Sequence, residues 1–275
     1  MAKRIAQIFL ATFLLTLAAT EAGAQIDASR GGAVGHGDFA MRYSLNSASP
    51  ANLTWVRDPA GSTRTVLHAR VRDTDAKIYG GWRTEISPLR EYIRQGLRWY
   101  AISVYFPADW QFHAYPTIVA QIHTSQKKTI LSPPLAFIVH GHNLDLELYG
   151  NHRPVDSGDV ATRGNSARQL IRLDRVQTAH WYCFVVRADW SSMPGKGSVK
   201  IWMNGAPVYE GQNLYNAYET WLGNYPKAGI YMPGMMGVSE RDLYFDFIHL
   251  GGARSSFDEM AAQTPCGTPN ISGNQ

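Results

Sequence analysis

Three short segments carry residue types that do chemistry together: Arg83-Thr84-Glu85, Gln121-Ile122-His123 and Tyr225-Pro226-Lys227-Ala228-Gly229-Ile230-Tyr231. Each lies in a stretch that reads as β-strand. Residues two apart in a strand point to the same face. Arg83 therefore shares a face with Glu85, Gln121 with His123, and Tyr225 with Lys227 and Tyr231. Polar and basic groups then stand where apolar side chains usually enter a core. If the three strands are neighbours, they assemble a cation, an amide, an imidazole and a phenol, a set suited to proton abstraction beside a carboxylate. Each residue also has a plainer reading. Arg83 and Glu85 make an ordinary ion pair, His123 a satisfied core histidine, and Tyr231 a sheet aromatic. Three separate strands would have to place polar groups on one face by accident for all of these to hold. Glu85 with Lys227 reads as an ion pair that orients the set. The turn His140-Gly141-His142-Asn143 offers His140 and Asn143 as further groups at a groove, or else as surface residues.

The elements that must position these groups are strands. Thr65–Arg72 alternates, Tyr100–Phe106 is strongly β and is stopped by Pro107, and Thr117–His123 continues the pattern. Leu135–Val139 and Leu144–Tyr149 flank the His140–Asn143 turn, and Trp181–Ala188, Ser198–Met203 and Leu243–Leu250 follow. Asn204-Gly205 is the strongest hairpin signal. Ser87–Gln95 reads as a short helix or loop, and Ser256–Gln263 as a short terminal helix. Residues 25–45 look like a loose entry and 150–170 like a long loop, a lid or groove wall in one reading. Many strands at short spacing with few helices predict an all-β sandwich of two antiparallel sheets, in one domain over 25–275.

Composition bounds the setting. The 275 residues are 45% hydrophobic, enough for a sizeable core. Eight Trp, fourteen Tyr and ten Phe supply flat faces, used either to fill a core or to stack on sugar rings. Met1-Ala2-Lys3-Arg4, the apolar run Ile8–Ala19 and Ala22-Gly23-Ala24 form a basic, apolar and small-x-small series. That series reads as a cleaved signal peptide over 1–24, too short in its apolar part to span a bilayer comfortably. The expected product is secreted or periplasmic, with no membrane segment. Removal of Lys3, Arg4 and Glu21 lowers the net charge from +4 to +3, compatible with an acidic polymer. No dense Lys/Arg run marks a nucleic-acid surface. Cys183 and Cys266 are the only cysteines. In an exported chain they can bridge; a buried free thiol at Cys183 is the competing reading. No His/Cys spacing suggests a zinc site.

Taken in order, the three segments resemble the signature strands of family-seven alginate lyases. Trp99–Pro107, Pro133-Pro134-Leu135, Trp202-Met203-Asn204-Gly205 and Tyr244–Ile248 resemble the heparin-lyase-I-like and glucuronan-lyase group. The resemblance spans roughly residues 65–250. Departures are Ser87-Pro88 after Ile86, Pro226 in place of an aromatic, and Met232-Pro233 after Tyr231. They bear on the substrate more than on the reaction. The resemblance implies a concanavalin-like β-jelly-roll with a concave groove. It also implies an endo-acting polysaccharide lyase that cuts a 4-linked uronic-acid polymer, glucuronan or alginate-like, by β-elimination. Arg83 and Gln121 would neutralise the substrate carboxylate, and His123 would serve as base. Tyr231 would donate the proton to the leaving oxygen, or act as base, depending on the stereochemistry at C5. Arg83 and Lys227 would lower its pKa. Lys227, Glu85, Tyr225, His140 and Asn143 would contact the polymer. No cofactor and no catalytic metal are expected, a structural calcium is left open, and the chain is expected to act as a monomer. A non-catalytic lectin-like domain and a glycoside hydrolase on the same fold are the alternatives. The latter would want two carboxylates across the scissile bond, and Asp145-Leu146-Glu147 is the nearest approach.

Overall fold

The computed structural model describes residues 25–27, 42–125, 131–150, 167–193, 195–220 and 222–267. These form sixteen strands, numbered along the chain, in two antiparallel sheets. The first sheet runs, in spatial order, β1 (Gln25–Asp27), β2 (Arg42–Ser47), β5 (Trp82–Pro88), β14 (Gly223–Met232), β7 (Thr117–Ser125), β8 (Leu135–His140), β9 (Asn143–Gly150) and β10 (Ala167–Arg175). The second runs β13 (Ala206–Leu214), β12 (Gly197–Met203), β11 (His180–Trp190), β6 (Gly96–Phe106), β15 (Glu240–Phe245), β4 (Thr65–Arg72) and β3 (Leu53–Arg57), with β16 (His249–Gly251) also pairing β6. This is the all-β sandwich that strand spacing predicts.

Period-2 alternation decides which face each strand buries. Tyr100, Ile102, Val104 and Phe106 of β6 and Tyr182, Phe184, Val186 and Trp190 of β11 point into the space between the sheets. They meet Ile122 of β7, Leu135, Phe137 and Val139 of β8, and Leu144, Leu146 and Leu148 of β9. Phe137 and Phe184 stack across the layers with ring centroids 3.8 Å apart. Each fully buried side chain of this size contributes roughly 1.5–3 kcal/mol. The opposite face of the first sheet is therefore left for polar residues.

Several segments differ from expectation. The loose entry at 25–45 contains β1 and the start of β2, which pair with each other and then with β5; residues 28–41 lie outside the described residues. Ser87 and Pro88 close β5 rather than open a helix, and Ile93 instead bridges to Asn224. The run Leu243–Leu250 is two strands. Asp246 ends the first by turning its carboxylate onto the Phe247 N–H at 2.8 Å and onto Arg64 at 2.9 Å. The expected loop at 150–170 gives way to β10 from Ala167 onward; residues 151–166 and the leader at 1–24 lie outside the described residues. The short terminal helix is present as α1 (Phe257–Ala261), capped by Ser256 Oγ accepting from the Glu259 N–H at 3.2 Å. Cys183 and Cys266 form a disulfide that ties this C-terminal segment to β11. Among the described residues no helix is long and apolar enough to cross a membrane.

Candidate active site

β14 sits between β5 and β7, so the three signature segments are immediate neighbours. Register does the rest. Tyr231 lies opposite Arg83, Lys227 opposite Gln121, and Tyr225 opposite His123. Directly opposed residues on one face hold their side chains within reach of each other. Two irregularities adjust this face. The β7–β8 register slips between Ile118 and Ala120, so Ile118, Gln121 and His123 all face outward while Val119, Ala120 and Ile122 enter the core. Gly229 of β14 has φ +132° and lies opposite Glu85; a Cβ there would sit 2.2 Å from the Thr84 carbonyl oxygen. Only glycine allows the strands to close over the buried Glu85.

Glu85 is the hub of the cluster. Arg83 Nη1 donates to its Oε2 at 3.2 Å and Lys227 Nζ to the same oxygen at 3.3 Å, while Gln121 Nε2 donates to Oε1. Arg83, Glu85, Gln121 and Lys227 are all buried. Two cations share one carboxylate, so the cluster keeps one positive charge in excess. The Arg83 Nη2 also donates to the Tyr79 carbonyl at 3.3 Å, and its guanidinium lies 3.7 Å from the centre of the Tyr231 ring. Among the described residues Arg83 Nε and Gln121 Oε1 have no hydrogen-bond partner.

His123 is held by its Nδ1, which bonds the Thr124 carbonyl. A carbonyl only accepts, so Nδ1 carries the proton and Nε2 is the free lone pair. Burial, with the Lys227 charge added, lowers the imidazole pKa to about 4. His123 is therefore neutral at neutral pH. The Tyr231 phenol moves the other way from expectation. Burial raises its pKa, and this outweighs the nearby Arg83 charge that the sequence reading relied on. Tyr231 thus keeps its proton at neutral pH. Burial also raises Tyr225, with Glu85 adding to the effect.

These groups line a cleft of about 770 Å³. Arg83, Gln121, His123, Tyr225, Lys227 and Tyr231 contribute to its walls. Glu85 does not; it lies beneath them, at 1% exposure, and meets the cleft only through the donors it holds. His140 and Asn143 are not at the cleft either. Their turn is drawn to the 112–113 segment, where Gly141 N–H bonds the His113 carbonyl at 2.9 Å and His142 stacks on Phe112 at 4.0 Å. Sequence reasoning missed other parts of the wall, among them Ser44 and Asn46 of β2, Ser87 of β5, Tyr79, Tyr92, Glu147 and Tyr149. For Glu147 and Tyr149 the alternation of Leu144, Leu146 and Leu148 was the available signal. Glu147 is paired with Arg168 at 2.6 Å, which weakens it as a second catalytic carboxylate. Among the described residues no group of three or more His, Cys, Asp or Glu is placed to hold a metal ion.

The profile of the polysaccharide lyase family matches residues 34–249. Among solved structures, the chain is similar to an endo-β-1,4-glucuronan lyase from the fungus Trichoderma reesei, at 19% identity and a TM-score of 0.61, over 84% of this chain and 95% of that one. It is also similar to a double-cysteine variant of the alginate lyase A1-II', at 16% identity and a TM-score of 0.50, over 72% and 83% of the two chains. At such identities the likeness speaks to the fold. No curated protein matches the sequence.

Proposed function

From the premise that the chain belongs to the polysaccharide lyase family, we propose that it cleaves a 4-linked uronic-acid polymer, glucuronan or alginate-like, by β-elimination in this cleft. The observation that carries the reading is the excess positive charge of the Arg83–Glu85–Lys227 cluster, set beside a neutral His123 and a protonated Tyr231. A uronate carboxylate supplies the missing negative charge. Arg83 and Lys227 draw charge from it, which acidifies the C5 proton and stabilises the enolate-like intermediate. Gln121 Oε1, without a partner among the described residues, accepts from a sugar hydroxyl. His123 Nε2 takes the C5 proton. The electron pair left at C5 forms the C4–C5 double bond as the C4–O bond breaks, and Tyr231 gives its proton to the departing oxygen. Protein donors supply all the charge in this scheme. Glu85 holds the donors and touches no reacting atom.

The cleft wall extends from β2 to β9. Five interstrand spacings give roughly 24 Å, room for an internal stretch of polymer and hence for endo action. We also place the mature chain outside the cytoplasm, a reading supported by the leader-like residues 1–24 and by the Cys183–Cys266 disulfide, since such bonds persist in oxidising compartments. The test is ultraviolet absorbance of unsaturated uronate on a panel of glucuronan, alginate, other uronans and neutral glucans. Absorbance should rise with one or more uronans and with no neutral glucan. Chain shortening without the chromophore would mean hydrolysis; binding without shortening would mean a lectin-like domain.

A further inference from the structure

The turn joining β4 to β5 carries an aromatic that neither the core nor the proposed chemistry uses. Ile78 and Gly81 pair through hydrogen bonds of 2.9 and 3.3 Å, leaving Tyr79 and Gly80 as the two residues of the turn. Their φ angles are +48° and +81°, a type I′ arrangement that Asn-Gly usually fills. A bulky aromatic is sterically disfavoured in that left-handed region. Strain of this kind survives where the residue serves a purpose. Burial is not the purpose, because Tyr79 is 81% exposed. Its ring lines the mouth of the cleft, 5.8 Å from the Arg83 guanidinium, and its carbonyl accepts from Arg83. The turn is thus anchored to the arginine while the ring stays free. At the other end of the polar cluster, Tyr92 packs on Tyr225 at 5.2 Å, beside His123. Aromatic faces therefore bracket the charged groups along β14.

We propose that Tyr79 forms a sugar-stacking subsite at the Arg83–Tyr231 end of the cleft, taking the C–H face of the pyranose next to the uronate held by Arg83. This rests on the uronan-lyase reading for the identity of the sugar. The flat ring supplies area with little loss of side-chain freedom, while Arg83 supplies the charge recognition. The subsite lengthens the stretch of polymer that contributes to binding.

The test compares Tyr79→Asn and Tyr79→Phe. Binding of size-defined uronan oligosaccharides is measured by calorimetry in a Tyr231→Phe background, and unsaturated-product rates are measured with Tyr231 present. Asparagine suits the left-handed conformation and keeps the carbonyl that Arg83 needs, so Tm should hold or rise. Affinity should fall roughly tenfold for oligosaccharides that reach the subsite and stay level for shorter ones, with KM rising more than kcat falls. Tyr79→Phe should bind like the parent. Equal affinities of Tyr79→Asn and its parent at every length would overturn the subsite, as would a fall in Tm that parallels the loss of binding. So would a parent that binds no uronate oligosaccharide. Failure of the lyase reading looks different: the protein with Tyr231 intact yields no unsaturated product from any uronan. Length-dependent oligosaccharide binding lost in Tyr79→Asn would still uphold the subsite in that case.

Discussion

The neutral state of His123 is the most consequential single-residue property of the site. A histidine charged near neutral pH would add a third cation to the cluster and hold no lone pair for the C5 proton. Burial and Lys227 prevent this by lowering the pKa to about 4. The acid limb of kcat/KM is therefore expected well below 6.5, the ordinary histidine value; a pH–rate profile checks it, and a limb at 6.5 would remove His123 from the base role. Burial raises the Tyr231 pKa above the ordinary phenol value, so its loss of a proton sets no alkaline limb near neutral pH. Glu85→Gln leaves two buried cations without their shared carboxylate. Breaking a buried pair typically costs about 3–5 kcal/mol, so Tm should drop clearly while elimination falls less than in Tyr231→Phe. Equal, complete loss of activity with Tm unchanged would instead give Glu85 a direct part in the reaction. At this scale the sequence was legible in part: strand parity paired Arg83 with Glu85, Gln121 with His123 and Lys227 with Tyr231, while the order β5-β14-β7 that joins the three pairs came from the structure. The direction of the Tyr231 shift was not legible: neighbouring charges can be listed from a sequence, but desolvation requires knowing what covers the phenol.

Strands set the geometry through register and through places where a side chain is missing. Gly81 is one such place. A Cβ there would lie 2.5 Å from Tyr231 Cε2 and 2.7 Å from the Met232 carbonyl oxygen. The Tyr231 ring is thus held between bare backbone and the Arg83 guanidinium. Gly81→Ala is expected to displace the ring and lower turnover by about tenfold or more, since small misplacements of a reacting group are costly. Circular dichroism and steady-state kinetics together check this, and wild-type turnover in a folded variant would contradict it. Strands whose buried face alternates cleanly, such as β4, β6, β8, β9 and β11, could be read from sequence within a few residues. β2, β3 and β13 could not. Tyr43 and Leu45 of β2 bury their face beside the mixed Ser44 and Asn46, and β13 is largely exposed, so its alternation carries little apolar signal. β10 was hidden for a related reason, its Arg168, Gln169, Arg172 and Asp174 making it resemble a loop.

The whole molecule pairs a continuous apolar core with one polar sheet face, closed at the C-terminus by a disulfide. The bridge spans 83 residues of chain, and opening a disulfide typically loses about 2–4 kcal/mol of stabilisation. Cys183→Ser with Cys266→Ser should lower Tm by several degrees without changing the cleft residues; an unchanged Tm would show that the tail is held by packing alone. Acid should weaken the fold as well. His123 and His249 are both lowered to about 4 by burial, so the unfolded chain binds more protons between 4 and 6.5, and stability falls as pH drops through that window. Asp246, raised to about 6, works in the opposite sense, one group against two. The composition indicated a large core, but not which aromatics fill it and which line the cleft. Among the described residues, Tyr79, Tyr92, Tyr149, Tyr225 and Tyr231 line the cleft. The central claim is that this cleft performs elimination through Tyr231 and His123. Its most direct test is the initial rate of unsaturated-uronate formation by the parent protein, Tyr231→Phe and His123→Ala, with polymer binding measured alongside. The account predicts a loss of roughly 10²–10⁴-fold in each variant with binding retained. Cleavage by Tyr231→Phe at the parent rate would contradict it.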